Sequence, residues 1–229
     1  MLSPHVTPGL LRIAPSLWVH EIPFSLFGVQ LRRRMVVVRL PNGSIQLHNP
    51  NPISPELLSD LQPRGRIGSI VTPTLFHDTY LEDVLRLFSE CKLYASPDLK
   101  VSPDLTNARR TFAEWPESWL PVLRPIQLRG TTTQETAFYH APTRSLLVSD
   151  LVMNFGREAP LFTRLFFRLN GVNGQLRPTR IFRQTITDRA AFLASIDELL
   201  QLDFDRLIPT HGSMVETGAK ERFKREFKV

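Results

Sequence analysis

The chain has 229 residues, 42% hydrophobic and 22% charged, and no apolar run near the ~18–20 residues that span a bilayer, which excludes a disordered or membrane-spanning chain and fits one soluble domain over residues 1–229 with a sizeable core. Net charge is +6, carried mostly by arginine, whose planar fork suits phosphate and carboxylate recognition; the basic residues are spread out, with tight clusters only at Arg32-Arg33-Arg34 and from Lys220 to Lys228. The single cysteine, Cys91, excludes an internal disulfide, reads as a packed thiol and fits a reducing, cytoplasmic compartment, as does an N-terminus (Met1 to His5) without the basic start and apolar block of a secretory signal.

Taken in order, Ser16 to Val19 reads as a short strand and Met35 to Leu40 as a strong one. Pro41-Asn42-Gly43-Ser44 is a turn, because Asn-Gly favours the positive φ a hairpin requires, and Ile45 to His48 returns. Ser54-Pro55-Glu56 opens a helix with an N-cap, a proline at the first position and an acid near the positive helix end. Ile67 to Thr72 is a buried strand, Tyr80 to Cys91 has helical spacing at Leu81, Val84, Leu85 and Phe88, and Lys92 to Ala95 is again a strand. A helix is expected around Pro103 to Phe112, with Trp115 and Trp119 anchoring a loop. A second hairpin follows (Thr136 to Tyr139, turn at Ala141 to Arg144, Ser145 to Asp150), then helices over Ala159–Leu169 and Asp188–Leu202, a strand at Arg206–Pro209 and a helix over Gly218–Phe227. Hairpins followed by strand–helix alternation, twice over, point to two sheets with helices outside.

Strand ends deliver polar groups at three places: His77-Asp78 after Ile67–Thr72, Asp150 after Leu146–Ser149, and His211 after Leu207–Pro209. Sites in α/β sheets assemble at strand ends. Imidazole nitrogens and carboxylate oxygens suit zinc, manganese or iron, and an open coordination position would bind water and lower its pKa toward ~7.

These motifs resemble the metallo-β-lactamase-fold superfamily, in a divergent, uncharacterised branch with Pro-x-Leu-Phe-His in its ligand loop. The resemblance covers most of the chain and implies an α/β, four-layer αββα sandwich of two mixed sheets. Set against the family's His-x-His-x-Asp-His motif, the first two histidines fall on Pro73 and Leu75, the aspartate on His77 and the last histidine on Asp78. The histidine that follows a glycine falls on Thr131 after Gly130, the bridging aspartate on Asp150 and the final histidine on His211. The resemblance therefore implies that the first metal site is lost, while His77, Asp78, Asp150 and His211 retain donors for one metal, with Asp150 and Asp78 as the carboxylates of catalysis.

Each residue also has a plainer role. His211 could be a capping or core histidine, Asp150 could bind the backbone amides of its own turn, and Asp78 is well placed to cap the following helix. Glu135 and His140 lie five apart on one strand; Glu135 could support the site from behind, whereas His140 at the turn is expected to be exposed. Arg129 could hold an anionic substrate, with a surface salt bridge the simpler assignment. His5, His20 and His48 have no partner pattern and read as surface or packing residues. The basic, apolar helix over Ala159–Leu169 could pack one face on the core, or serve a membrane, a lid or a dimer.

Two functions compete: a hydrolase-like metalloenzyme with one zinc, iron or manganese ion acting on a small anionic substrate, and a metal-free binding or scaffold protein of the same fold. Nucleic-acid processing is disfavoured, because basic and aromatic residues are not interleaved and the two-metal motif is missing. Substrate and oligomeric state have no signature in the sequence.

Overall fold

A computed structural model describes residues 9–172 and 174–227; His5 lies outside them. The chain divides into two compact units, Met1–Ile22 with Arg34–Pro121 and Pro23–Arg33 with Val122–Val229. It is α/β, with two mixed sheets of seven and four strands, the two sheets the sequence leads one to expect.

The seven-stranded sheet runs in the order β1 (Leu11–Ala14), β2 (Leu17–Leu26), β3 (Val29–Arg39), β4 (Ile45–His48), β5 (Ile67–Thr72), β6 (Lys92–Ala95) and β7 (Arg109–Arg110), with the tip of the β2–β3 hairpin belonging to the second unit. β3 and β4 are antiparallel, joined through the Asn42-Gly43 turn, where Gly43 has φ +80° and the Asn42 side chain accepts from the Ser44 amide at 3.1 Å. β4, β5 and β6 are parallel, so helical crossovers must join them: α1 (Pro55–Leu61), capped by Ser54 Oγ accepting from Leu57 N, and α2 (Leu81–Leu87). Their apolar faces (Leu57, Leu61, Leu81, Val84, Leu85) pack with Val37, Leu47, Ile70 and Leu93 into one core. Cys91 belongs to this core; burial pushes its thiol up to about 11, and Sγ donates to the Ile67 carbonyl. In place of a regular helix over 103–112, tight 3-10 turns span Pro103–Ala108 and Phe112–Glu114, and Trp115 and Trp119 then close edge-on against Tyr94.

β2 and β3 are longer than their apolar runs suggest. β3 continues through Arg32-Arg33-Arg34, so this cluster is not a solvated surface patch. Arg33 and Arg34 are buried, and Arg34 is neutralised by Glu21 at 2.6 Å, which lets a strand carry a charge inward. His20 and His48 are packing residues: His20 meets Asn51, and His48 Nε2 pairs with Gln46, which in turn donates to Ser69.

The second unit carries the sheet β11–β10–β9–β8, made of β8 (Leu123–Gln127), β9 (Thr136–His140), β10 (Ser145–Val148) and β11 (Arg206–Pro209). β8 contains Pro125, which reads as a break, but β8 is an edge strand, where a missing N–H costs little. Four helices accompany this sheet: α3 (Leu161–Leu169), α4 (Arg180–Gln184), α5 (Arg189–Gln201) and α6 (Ala219–Phe227). Asp188 caps α5 by accepting from Ala191 N, and Phe192, Ile196 and Leu199 of α5 meet Phe204, Leu207 and Phe223 in the core.

His140 is buried, not exposed. The left-handed Arg144 tightens the turn, and His140 Nδ1 meets Thr143 Oγ1 at 2.7 Å. Burial lowers its pKa to about 4. Its folded pKa lies below the unfolded value of 6.5, so its stabilising contribution is present above pH ~6.5 and is lost as pH falls toward ~4, by up to about 3 kcal/mol. Urea unfolding of chelator-treated protein across that range should show this acid loss in the wild type and a flatter profile in His140→Gln. Equal slopes in the two proteins would assign the acid sensitivity to other groups.

Candidate metal centre

In the second unit, the parallel pair β10–β11 has Val148 opposite Pro209. Asp150 and His211 each lie two residues beyond these partners, so one register delivers both donors to the same end of the sheet. An Asp150 carboxylate oxygen and a His211 ring nitrogen lie within 4.8 Å of one another, a spacing compatible with two ligands of one ion.

His211 is buried and closely oriented. Its Nδ1 sits 2.6 Å from the Arg32 carbonyl, which can only accept, so Nδ1 carries the proton and Nε2 presents the lone pair. Its ring stacks on Phe24 at 6.1 Å between centroids. Gly212 has φ +81°, and a Cβ there would come within 2.5 Å of the Asn154 carbonyl oxygen, so the turn that follows the histidine requires glycine. Such a tautomer, fixed by a backbone acceptor, is how metal-binding histidines are commonly oriented.

The turn carrying Asp150 is held from below by Glu135. The carboxylate of Glu135 is fully buried and accepts from three successive backbone amides, Ser149 at 2.7 Å, Asp150 at 3.0 Å and Leu151 at 2.9 Å. Glu135 thus takes the amides that Asp150 might have bound itself. Burial, with the Asp150 charge second, pushes the Glu135 carboxyl up to about 8, against the pull of the three amides.

The position of the absent glycine-linked histidine is occupied structurally. Gly130 adopts φ +69° against the Asp188 carbonyl, and the Thr131 hydroxyl donates to Leu128 O and receives Thr133 Oγ1. Arg129 turns to α5, where its backbone N and Nε reach Ser195 Oγ and Nη2 pairs with Glu198 at 3.6 Å, the surface salt bridge.

In the first unit, the loop between β5 and α2 buries His77 and leaves Asp78 exposed. His77 Nδ1 meets Asn49 Oδ1 at 3.0 Å, so Nδ1 carries the proton and Nε2 the lone pair. Asn49 follows β4 with φ +52°, a conformation asparagine tolerates; that strand-end asparagine was a legible signal the sequence reading missed. The Arg32 carbonyl had none, being backbone. Asp78 serves α2 through its carbonyl, which accepts from Leu81 N at 2.8 Å; the helix cap itself is Tyr80. Leu75, where the family has its second histidine, packs against the unit's core.

The fold has counterparts among known proteins. Residues 15–104 match DUF4336, a domain of unknown function. No curated protein matches the chain. Among solved structures, a metallo-β-lactamase from Pontibacter korlensis is similar with a TM-score of 0.58 at 15% identity, over 96% of this chain and 98% of that one. The metallo-β-lactamase FIM-1 from Pseudomonas aeruginosa, in its mono-zinc form, gives 0.62 at 12% identity, over 96% and 94%. A metal-soaked flavodiiron core, Flv1 from Synechocystis, gives 0.64 at 13% identity, over 94% of this chain and 59% of that one. At these identities the likeness shows the metallo-β-lactamase-like fold and nothing finer.

Proposed function

We propose that the chain is a mononuclear metalloprotein in which Asp150 and His211 are donors to one zinc, iron or manganese ion, and that it acts as a hydrolase on a small anionic substrate. The observation that carries this reading is the Asp150–His211 pair, aimed by one strand register and tied down by Glu135 and the Arg32 carbonyl. The donor chemistry fits: an imidazole with Nδ1 hydrogen-bonded and a carboxylate are donors common at zinc and non-haem iron sites. When bound, the ion would supply Lewis-acid activation of a water at neutral pH. The chain's own part is positional. The Arg32 carbonyl holds the His211 imidazole in one tautomer, and Glu135 fixes the turn of Asp150.

The competing reading, a metal-free binding or scaffold protein, is favoured by the packing roles taken over by Leu75 and Thr131. Elemental analysis after reconstitution separates the two. The metalloprotein should retain about one ion per chain, and Asp150→Ala and His211→Ala should each lower this severalfold while leaving the circular dichroism unchanged. A wild-type protein that retains less than about a tenth of an equivalent of any of the three metals would leave the scaffold reading standing.

A further inference from the structure

Between Glu158 and Asp188 the sequence has no acidic residue and five arginines, Arg164, Arg168, Arg177, Arg180 and Arg183. Arg177 and Arg183 are paired with Glu226 at 2.8 and 2.7 Å. Arg164, Arg168 and Arg180 are exposed and make no ion pair among the described residues. The same segment shows unusual apolar exposure. α3 buries Thr163 and Phe167, the latter stacked on Phe155 at 3.9 Å, so its inner face is already satisfied. Leu161, Phe162, Leu165 and Leu169 remain 53–78% exposed, on the outer side of the helix. At about 100° per residue these four share one arc of the helix, with Arg164 and Arg168 along its edge.

The β2–β3 hairpin tip extends this face. The Gln30 amide donates to Thr163 Oγ1 at 3.0 Å, and a Cβ placed on Gly28 would touch the Phe162 ring at 3.8 Å. Phe27, at the tip, is 93% exposed, and Leu26 beside it is 49% exposed. A large aromatic standing almost wholly in solvent, beside four exposed aliphatic and aromatic side chains, exceeds the scattered apolar exposure of an ordinary surface.

We propose that this face of the second unit docks reversibly on an anionic lipid surface, Phe27 and the outer side of α3 entering the headgroup boundary while Arg164, Arg168 and Arg180 meet the lipid phosphates and carboxylates. Three features select a lipid surface over other occupants. The charge is of one sign, complementary to an anionic bilayer. A two-fold contact with a second copy would bring the unpaired arginines of both copies onto one interface, a repulsive arrangement. The apolar side chains project from a helix and a hairpin tip, the form that enters an interface only ~5–10 Å deep. No described helix is long and apolar enough to cross a membrane, so the contact would be peripheral.

The test is flotation of the full chain with vesicles of phosphatidylcholine alone and with about 30% phosphatidylserine, together with light scattering of the free protein. Binding is expected on the anionic vesicles only, with release at high salt. Arg164→Gln with Arg168→Gln should weaken it by roughly 25-fold, at about fivefold per basic residue. Phe27→Ser with Leu165→Ser should abolish it at low salt; both changes are on exposed positions that leave the fold intact. Failure of the wild type to float with the anionic vesicles, or equal flotation by all the variants, would overturn the proposal. A wild-type dimer that Leu165→Ser dissociates would assign the face to a second copy instead. Metal content plays no part in this test, so its outcome is separate from that of the metal site.

Discussion

Replacing Glu135 with alanine is expected to destabilise the protein by about 3–5 kcal/mol, because three backbone amides in a buried turn lose their acceptor at once and each unsatisfied group costs roughly 1–3 kcal/mol, partly offset by relief of a buried carboxyl. For a chain of this size that corresponds to a fall in Tm on the order of 10 °C. Glu135→Gln should be milder, since its one carbonyl oxygen can serve the Asp150 and Leu151 amides while its NH2 opposes Ser149 N. Hydrogen exchange at residues 149–151 reads the effect locally: protection should collapse in the alanine variant and persist in part in the glutamine variant. If both variants melt with the wild type and keep protection at these amides, Glu135 does not hold the turn. Metal affinity should follow the same order, because the turn is what aims Asp150.

Gly212→Ala is expected to cost about 2–4 kcal/mol and to displace His211. The substitution combines a left-handed φ of +81° with a Cβ 2.5 Å from a backbone carbonyl oxygen, and neither strain can be relieved by a side-chain rotation. The flanking contacts, Ser213 N to the Asn154 carbonyl and Thr210 N to the Val148 carbonyl, fix the strand end, so relaxation must break one of them or turn the histidine ring off the Arg32 carbonyl. Chemical denaturation reads the first consequence and the imidazole Nδ1–H proton resonance of His211 the second. A variant as stable as the wild type with that resonance unchanged would show that the turn adapts without glycine.

Much of this was legible beforehand for definite reasons. β4, β5, β6 and β11 have the bounds the sequence suggested, because each is a short run rich in apolar residues that ends against a turn residue. The capped start of α1 was equally local, three residues sufficing to specify it. β2 and β3 were underestimated because their outer halves hold charged and polar residues whose burial depends on partners distant in sequence, Glu21 for Arg34 among them. α4, five residues long, leaves too short a period to detect.

The same divide runs through the candidate centre. The sequence by itself supplied the donor-capable side chains His77, Asp78, Asp150 and His211, and the lack of donors at Pro73, Leu75 and Thr131, because ligand chemistry belongs to residue identity. Only the tertiary structure decided that Asp78 stays exposed while His77 is buried, that Arg129 is spent on α5, and that Glu135 grips the turn of Asp150 from the residue just before β9. The physical reason is that adjacent residues in a loop point apart, and the direction each takes is set by hydrogen bonds to groups 14 to 179 positions away, such as Glu135 for Ser149 and the Arg32 carbonyl for His211.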